Sequence, residues 1–388
     1  MSTILKKLKA SETGMKIREK IFPYYDPNHA FNPLKNLPDS MKRYDTCEEK
    51  KNLSQIRFEI AICKKFWKCF PYHYYMYDLY REDKPLSEEA LINYIPEFFW
   101  YYLYLPHHSS YKFWMITDNK IITDLFFRSL HIPQPETLYR IINGRIYSPE
   151  MLPIPSDQLM QDLDQEKIQK IFVKPAQSGQ GKGIHIFHKG DNGRYISPDN
   201  TRLTNEFLDT IGKNRDYIIQ KGVTQHPDIS SIYPASINTV RIITENKDGN
   251  TRAVCSMLRI GRGHHEIDNA SAGGIFVKID TGSGIIEDVA LSYDGERFTD
   301  HPDTHFVFQK FRIPYWEKIV NFARESAGKI PFFTHLAWDI AVTENGSVAI
   351  EINLSPGISG LQISCGGLRE VFGIHDPDYY WKNPGKRL

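Results

Sequence analysis

The chain of 388 residues lacks any long hydrophobic run. Its longest apolar stretch, residues 98–105, is far shorter than the ~20 residues that a membrane-spanning helix needs. Residues 1–30 contain no apolar segment of the length that a signal peptide requires. The sequence therefore predicts a protein without a transmembrane segment, and we expect it in the cytoplasm.

The sequence also contains few cysteines and carries almost no net charge. The five cysteines are an odd number without the close spacing of a metal site, which favours reduced thiols: Cys47, Cys63, Cys69, Cys255 and Cys365. Lysine plus arginine (48) nearly cancels aspartate plus glutamate (47), so charge gives no reason to expect nucleic acid as a partner. The length allows a sizeable core divided over two or three lobes.

The most informative residues lie in the C-terminal part of the chain. Two alternating runs joined by Asn345-Gly346 predict a β-hairpin. Because side chains alternate faces along a strand, Glu351 and Asn353 point the same way, and pairing across the turn can bring Asp339 beside them. Two carboxylates and an amide oxygen form a hard-oxygen site suited to Mg²⁺. The alternative, a solvent-facing hairpin, gives this trio little packing rationale.

A glycine-rich loop lies about 165 residues upstream. It contains Gly179, Gly181 and Gly183, and it joins an apolar run that carries Lys174 to an alternating run that begins at Ile184. Glycines let backbone N–H groups approach phosphate oxygens closely. A Walker loop or a dinucleotide-binding loop leads into a helix, whereas this loop joins strand to strand. The pattern predicts a hairpin that closes over the phosphates of a nucleotide.

Together these motifs resemble those of the ATP-grasp superfamily over roughly residues 116–365. The likeness is closest to the sugar-transfer-associated ATP-grasp proteins, and the ribosomal-protein glutamate ligases are similar but more distant. Five phrases in this order carry it: Val173-Lys174-Pro175, residues 178–183, residues 236–241, residues 268–274, and Asp339 with Glu351 and Asn353. The resemblance implies an α+β ATP-grasp fold whose two α+β lobes clamp a nucleotide.

Three regions follow from the composition and the resemblance. Residues 1–115 form a mostly helical N-terminal accessory region, which is rich in aromatic residues between positions 60 and 114. Residues 116–222 form the first ATP-grasp lobe with the glycine-rich loop, and residues 223–388 form the second lobe with the metal site. The aromatic residues either pack on the catalytic body or form a sugar-stacking or membrane-proximal surface.

Hydrophobic periodicity predicts the elements that surround these motifs. Helices are expected at residues 121–130, 156–169, 205–212 and 316–327. Strands are expected near residues 239–245, 251–260, 274–280 and 284–291. The succession of helices and strands is that of an α+β protein.

The resemblance assigns several lysines to the nucleotide phosphates. Lys174 matches a lysine that binds the α-phosphate region, although a lysine on a strand can also serve only to discourage sheet aggregation. Lys120 matches an earlier lysine with a similar duty, and Ser178 belongs to the phosphate-binding loop. Lys182 could reach the β- or γ-phosphate as a catalytic group, or it could be a solvated loop residue.

The adenosine part of the nucleotide is expected near residues 220–223. By resemblance, Gln220 belongs to the hinge between the lobes, where backbone groups of Lys221 and Val223 read the adenine edge. Asp228 is a candidate for the ribose hydroxyls. It could equally be a turn residue after His226-Pro227.

Two arginines are candidates for catalysis. Alternation places Arg241 on the face opposite its apolar neighbours, and Arg259 projects in the same way from the next strand. A guanidinium is a planar fork suited to phosphate or carboxylate, and solvated strand edges are the alternative. The D-alanine ligase type has an arginine two residues before the metal aspartate, where this chain has Ala337, so Arg241 is the candidate for stabilising the transferred phosphoryl group. Substrate contacts are expected from the loop residues Asn269, Gly273 and Gly274.

The function that these resemblances imply is an ATP-dependent carboxylate–amine ligase. It would use ATP and two Mg²⁺ ions, and it would join a carboxylate to an amine through an acyl phosphate. The family context implies a sugar acid, a nucleotide-sugar or an amino acid of surface polysaccharide biosynthesis as substrate. Two alternatives remain open: a kinase of the same fold that phosphorylates a small molecule, and a non-catalytic nucleotide-binding scaffold.

Overall fold

The computed structural model describes residues 37–383 except residues 110, 166–167, 180, 192, 264, 267 and 269–272. The expectation of no signal peptide, and the first third of the expected accessory region, lie outside the described residues. Two seven-stranded antiparallel sheets carry the candidate site. No helix in the described ranges is long and apolar enough to cross a membrane. The division of the chain after residues 115 and 222 stays a prediction.

Short helices build the described part of the accessory region. They are α1 (Leu37–Thr46), α2 (Leu53–Trp67), α3 (His73–Met76), α4 (Glu88–Ile92), α5 (Glu97–Phe99), a π-helical turn (Trp100–Tyr104) and α6 (Leu105–His108). Asn52 caps α2, since its side chain accepts a hydrogen bond from the Gln55 N–H, and Ser87 caps α4 in the same way. The expectation of a helical, aromatic-rich region is confirmed.

The aromatic residues of this region pack on the second sheet. One buried cluster joins large side chains of α2 and the α5–α6 stretch to three strand residues of the sheet: Trp67, Phe99, Trp100 and Tyr104 with Ile243, Met257 and Phe276. The Trp100 indole also donates a hydrogen bond to the Pro356 carbonyl, at 2.9 Å. Burial of large aromatic surfaces is strongly stabilising. These aromatic residues therefore serve as packing between the accessory region and the catalytic body.

The first sheet has the strand order β3-β2-β1-β7-β4-β5-β6. Its strands are β1 (Thr137–Ile142), β2 (Arg145–Tyr147), β3 (Pro153–Ile154), β4 (Lys170–Pro175), β5 (His185–Lys189), β6 (Tyr195–Ile196) and β7 (Tyr217–Lys221). Helices α7 (Met115–Asp118) and α8 (Lys120–Ser129) precede it, and α9 (Ser156–Gln165) and α10 (Asn205–Gly212) are inserted in it. Leu159 and Leu208 of the inserted helices pack against Val173. Alternation therefore turns Lys174 to the other face.

The second sheet has the order β12-β11-β10-β9-β8-β13-β14. Its strands are β8 (Thr239–Lys247), β9 (Asn250–Ile260), β10 (Ile275–Ile279), β11 (Ala290–Leu291), β12 (Arg297–Phe298), β13 (His335–Thr343) and β14 (Gly346–Asn353). Helix α11 (Pro227–Ser230) leads into it, and α12 (Trp316–Gly328) packs on the face that presents Val240 and Ile242. Helices α13 (Ile358–Cys365) and α14 (Pro377–Lys382) follow it, and their residues Leu361 and Tyr380 pack on the opposite face with the accessory aromatics.

The structure corrects two sequence predictions. Of the strand predicted at 284–291, only Ala290–Leu291 forms one, because Gly284 takes a positive φ of 76° in a turn that follows β10. The hairpin loop is shifted by one residue: Thr343 pairs with Gly346, so the two loop residues are Glu344 and Asn345, and the glycine opens β14. The predicted helices are present; the one expected at residues 156–169 is described over Ser156–Gln165, and residues 168 and 169 are not helical.

Candidate active site

Three charged side chains lie in one row across neighbouring strands. Asp339 on β13 is directly opposite Glu351 on β14 and directly opposite Arg241 on β8. Opposite residues of antiparallel strands project from the same face, so these three side chains are neighbours. Arg259 joins the row from β9, where it is opposite Thr239, two positions before Arg241 on β8. The nonlocal strand order thus assembles four residues that are up to 110 positions apart.

Asp339 is held by both arginines. Arg241 donates two hydrogen bonds to its carboxylate, from Nε to Oδ1 at 2.7 Å and from Nη2 to Oδ2 at 2.6 Å. Arg259 Nη1 donates a third hydrogen bond to Oδ2, at 2.9 Å. The carboxylate is 1% exposed, and burial alone would raise its pKa, but the two guanidinium charges outweigh burial and lower the pKa. Asp339 is therefore an anion in this structure.

Glu351 has a different environment from its neighbour. It is half-buried and makes no hydrogen bond or ion pair with another described residue. Burial raises the pKa of Glu351; the Lys120 charge opposes this effect, and the charge of Asp339 adds to it. Lys120 of α8, which precedes the first sheet, is therefore among the charges that act on Glu351 in the second sheet.

The donor set of this row fits a magnesium ion. Asn353 lies two residues beyond Glu351 on the same face of β14, at the position that pairs with Ala337. Among the described residues no group of three or more His, Cys, Asp or Glu side chains could hold a metal ion, so a site here needs the amide oxygen of Asn353 as a ligand. Two carboxylates and an amide are the hard oxygen donors that Mg²⁺ accepts.

A β-bulge adjoins Asp339 and Glu351. Asp339 pairs with Glu351, but the next pair is Ile340 with Ala349, so β14 carries one extra residue at this point. Bulges bend a strand and redirect its side chains, and they are common beside active sites. The bulge separates the regular hairpin from the strand end that carries Glu351 and Asn353.

The glycine-rich loop joins β4 to β5 as predicted. The two strands pair antiparallel, with Val173 opposite His185. Gly181 and Gly183 have positive φ angles of 71° and 74°, which glycine adopts without strain. A Cβ added at Gly183 would lie 3.1 Å from Pro175 Cγ, so the loop also packs closely against the strand that it leaves. The positive φ at Gly183 favours glycine, and a side chain there would also need Pro175 to move by a few tenths of an ångström.

The lysines of the first lobe lie beside this loop. Lys174 Nζ donates a hydrogen bond to Gln220 Oε1, at 3.1 Å. The pKa of Lys174 is lowered to about 8, mainly by burial and in smaller part by the Lys120 charge, while the charge of Glu351 on β14 opposes the shift. Lys120 Nζ donates to the Ser178 carbonyl at 2.8 Å, so it fixes the start of the loop. Lys182 is exposed within the loop.

The predicted hinge follows β7. The Lys221 N–H donates to the Glu136 carbonyl, at 2.9 Å, so any contact between Lys221 and adenine uses its carbonyl oxygen. Val223 lies two residues beyond, outside the strand. Asp228 is exposed in α11, and its N–H donates to His226 Nδ1 at 3.2 Å. The contact is compatible with a turn role and leaves the carboxylate of Asp228 exposed for ribose.

Asp268, in the loop between β9 and β10, is a positioning residue that the sequence did not predict. Asp268 is buried, and its Oδ2 accepts hydrogen bonds from the backbone N–H of Thr239, at 3.1 Å, and from the Thr239 hydroxyl. Its other oxygen lies 3.7 Å from Arg259. Asp268 therefore helps to orient Arg259, which in turn binds Asp339. The sequence signal was an aspartate in a loop, and nothing in its neighbours indicated a partner.

The predicted substrate residues follow Asp268. Asn269 lies outside the described residues. The Gly273 carbonyl accepts a hydrogen bond from Arg262, and Gly274 is buried immediately before β10. The structure thus ties the end of this loop to the second sheet.

The same loop reaches across to the first lobe. Glu266 forms an ion pair with Lys170 of β4, at 2.5 Å. Its carboxylate also lies 2.9 Å from Nε2 of His188 on β5. The ion pair with Lys170 thus joins the loop that follows β9 to the first sheet, and the charge of Glu351 on β14 also acts on Lys174 of β4.

The candidate site thus combines a glycine-rich hairpin of the first sheet with a row of oxygen-bearing side chains on the second. The chain matches the family described as sugar-transfer associated ATP-grasp over residues 103–372, which is more than half of its length. It therefore belongs to this family, and its fold is the α+β ATP-grasp fold. The search of curated proteins found no match.

Solved structures of ATP-grasp enzymes are similar at low sequence identity. D-alanyl-alanine synthetase A from Vibrio cholerae aligns with a TM-score of 0.38 and 14% identity, over 69% of this chain and 63% of that chain. D-alanine–D-alanine ligase from Bacillus anthracis aligns with a TM-score of 0.36 and 13% identity, over 69% of each chain. N5-carboxyaminoimidazole synthase from Aspergillus clavatus aligns with a TM-score of 0.37 and 12% identity, over 68% of this chain and 54% of that chain.

Proposed function

We propose that the protein is an ATP-dependent ligase that joins a carboxylate to an amine. The observation that carries this proposal is the row formed by Arg241, Asp339 and Glu351. Glu351 of this row is near enough to Lys120 and Lys174 for their charges to interact. Cations on one wall and hard oxygen donors on the other suit a polyphosphate that is bound together with a divalent cation.

In this proposal the first lobe binds the nucleotide. Lys174 and Lys120 contact the phosphates, and Ser178 and the loop glycines 179, 181 and 183 enclose them. The Lys221 carbonyl and the Val223 N–H read the adenine edge beside Gln220, and Asp228 binds the ribose. Burial of Lys174 makes its charge effective, because few water molecules screen it.

Asp339, Glu351 and Asn353 would hold Mg²⁺, with two ions as the expected number. The metal would neutralise charge on the β- and γ-phosphates, which is the main obstacle to attack by an anion. Arg241 and Arg259 are placed to stabilise the charge that develops on the transferred phosphoryl group, and Lys182 is the remaining candidate for this role.

The reaction proceeds in two steps. An oxygen of the substrate carboxylate attacks the γ-phosphorus, and ADP leaves with the electron pair of the broken P–O bond. The amine then attacks the carbonyl carbon of the acyl phosphate, and phosphate leaves as the amide forms. Enclosure by the glycine hairpin would protect the acyl phosphate from water. Gly273, Gly274 and Asn269 belong to the loop that would contact the acceptor.

The family name supports substrates linked to sugar transfer, so we propose a sugar acid or an amino acid of surface polysaccharide biosynthesis as the carboxylate. The test is ADP release over pairs of carboxylates and amines, with and without Mg²⁺, followed by product analysis. ADP release that needs both partners and yields an amide supports the ligase. A stable phosphoester formed without an amine would instead show that the protein is a kinase.

Two variants of the C-terminal hairpin accompany this assay: one removes a proposed metal ligand, and the other is its control. Glu351→Gln should abolish ADP release because it removes a proposed metal ligand. Glu344→Gln changes an exposed acid in the loop of the same hairpin and should keep full activity. Equal loss in both variants would show that the hairpin, not the metal ligand, is responsible.

A further inference from the structure

A chain of polar side chains crosses three strands of the first sheet and ends at Lys174. Thr137 of β1 is directly opposite Gln220 of β7, and Lys174 lies on β4, the other neighbour of β7. Gln220 Nε2 donates a hydrogen bond to Thr137 Oγ1, at 3.4 Å, and Lys174 Nζ donates to Gln220 Oε1, at 3.1 Å. Because Thr137 and Gln220 are only 1% and 7% exposed, water competes little for these contacts.

The other end of the chain is a buried ion pair. Thr137 Oγ1 donates a hydrogen bond to Oδ1 of Asp124 on α8, at 2.7 Å, and Arg140 Nη2 donates to Oδ2 of the same carboxylate. Arg128 Nε also donates to Oδ1, at 3.3 Å. Asp124 is 1% exposed and Arg140 is fully buried. Two backbone carbonyls between β2 and β3, each at 3.1 Å, accept further hydrogen bonds from Arg140, so the ion pair is a fixed anchor.

A β-bulge lets two residues of β1 reach this carboxylate. Thr137 pairs with Gln220, but the next pair of these strands is Tyr139 with Ile219, so β1 carries an extra residue at this point. In a regular strand, residues three positions apart such as Thr137 and Arg140 project from opposite faces. Here both contact the same carboxylate. Bulges redirect side chains in this way and are common beside active sites.

The chemistry of the two ends fixes the direction of each hydrogen bond. A carboxylate that binds guanidinium groups only accepts, so the Thr137 hydroxyl gives its single proton to Asp124. The Thr137 oxygen then accepts from its other neighbour, and Gln220 must present its NH₂ group to it. An ammonium has donors only, so Lys174 needs the amide oxygen of Gln220. Both ends therefore require the same orientation of the Gln220 amide, with its oxygen toward Lys174.

This orientation decides where the Lys174 ammonium lies. A lysine ammonium sits on a flexible stem with several rotatable bonds, so its position depends on what holds it. Among the described residues, Gln220 is the one that accepts a hydrogen bond from Lys174. The Phe172 ring lies beside the ammonium, with the ring centroid 5.2 Å from Nζ, and this contact prescribes no direction as sharp as a hydrogen bond.

We propose that Thr137 is a positioning residue for nucleotide binding, an inference that rests on the phosphate-binding role proposed above for Lys174. Thr137 orients the amide of Gln220, and the amide oxygen holds the Lys174 ammonium in place before ATP arrives. Asp124 and Arg140 hold the Thr137 proton on the far side of the hydroxyl. In this role Thr137 acts through Gln220 and needs no contact with the nucleotide. Placing a charged group in advance reduces the cost of ordering it when the ligand binds.

The hydrogen-bond chain is tested without nucleotide. In protein with ¹³C-labelled lysine, the Cε signal of Lys174 is identified by its absence in Lys174→Met. Thr137→Val keeps nearly the same volume but removes the hydroxyl, so the Gln220 amide is free to rotate and the Lys174 signal should shift. Thr137→Ser keeps the hydroxyl and should leave the signal in place. Thr244→Val changes another strand threonine that is 1% exposed, and it should also leave the signal in place.

ATP affinity, measured by calorimetry, tests the role in nucleotide binding. Thr137→Val should weaken ATP binding by about tenfold, the value of one hydrogen bond to a charged group. Thr137→Ser should stay within about threefold of the wild type. In protein that already carries Lys174→Met, Thr137→Val should cost less than about twofold, because the lysine that it positions is gone. A general structural effect of Thr137→Val would instead cost the same in both backgrounds.

Each outcome decides the proposal. An unchanged Lys174 signal in Thr137→Val overturns it, and so does an equal loss of ATP affinity with and without Lys174. A loss in Thr137→Ser as large as that in Thr137→Val would also overturn it, because the serine hydroxyl can make the same hydrogen bonds. If the wild type does not bind ATP, the function proposed above is wrong, while the spectra still decide whether Thr137 positions Lys174.

Discussion

Replacement of Asp339 by asparagine is the perturbation whose consequence the structure defines best. The carboxylate accepts three short hydrogen bonds from Arg241 and Arg259 and is 1% exposed. An amide keeps the shape of the carboxylate but turns an NH₂ group toward the guanidinium donors. It also removes the negative charge that balances half-buried Arg241 and buried Arg259. Breaking a buried ion pair on one side costs about 3–5 kcal/mol. That is a large part of the ~5–15 kcal/mol by which proteins are stable.

Urea unfolding measures this cost. With a slope of about 3 kcal/mol per molar, the midpoint of Asp339→Asn should fall by about 1 to 2 M. ADP formation should be lost as well, because a proposed metal ligand is gone.

Glu351→Gln is the matched comparison. Glu351 has no hydrogen bond within the described residues, and burial disfavours its charge, so its substitution should leave the midpoint unchanged or slightly raised while it also abolishes ADP formation. A midpoint of Asp339→Asn equal to that of the wild type, or an equal loss in both variants, would refute the assignment of the arginine clamp to Asp339 alone.

Two further predictions concern the first lobe. Because burial lowers the pKa of Lys174 to about 8, the protonated form that binds phosphate is lost as the pH rises through that value. The ATP affinity of the wild type should therefore fall between about pH 7 and pH 9. Lys174→Met should bind ATP weakly, without this pH dependence. Gly183→Ala places a Cβ at a φ of 74° and 3.1 Å from Pro175 Cγ, a cost of about 1–2 kcal/mol, so ATP should bind about tenfold more weakly. Gly328→Ala, which has neither constraint, should bind ATP like the wild type, and equal weakening in both would exclude local strain as the cause.

The metal row was predictable because it depends on local order. Strand alternation relates Glu351 to Asn353, and a hairpin brings both near Asp339. The exact pairing of Asp339 with Glu351 was not predictable, because a turn at Asn345-Gly346 would place Asp339 opposite Ile352, and only the observed turn together with the β-bulge in β14 places it opposite Glu351. The strand–loop–strand arrangement after Lys174 is local in the same sense, and it was predicted correctly.

The contacts of the arginines were not predictable, since they depend on nonlocal strand order. β8 pairs with β13, about 100 residues later in the chain, and only this pairing brings Arg241 onto Asp339. Asp268 and Glu266 lie in a loop without periodicity, so their partners Thr239 and Lys170 left no trace in the sequence.

A crystal structure with a non-hydrolysable ATP analogue and Mn²⁺ in place of Mg²⁺ tests the central claim most directly. The anomalous signal of manganese should lie among the side-chain oxygens of Asp339, Glu351 and Asn353, with the γ-phosphate beside it and Lys174 in contact with the phosphate chain. A nucleotide bound outside this cleft, or manganese held by other side chains, would contradict it.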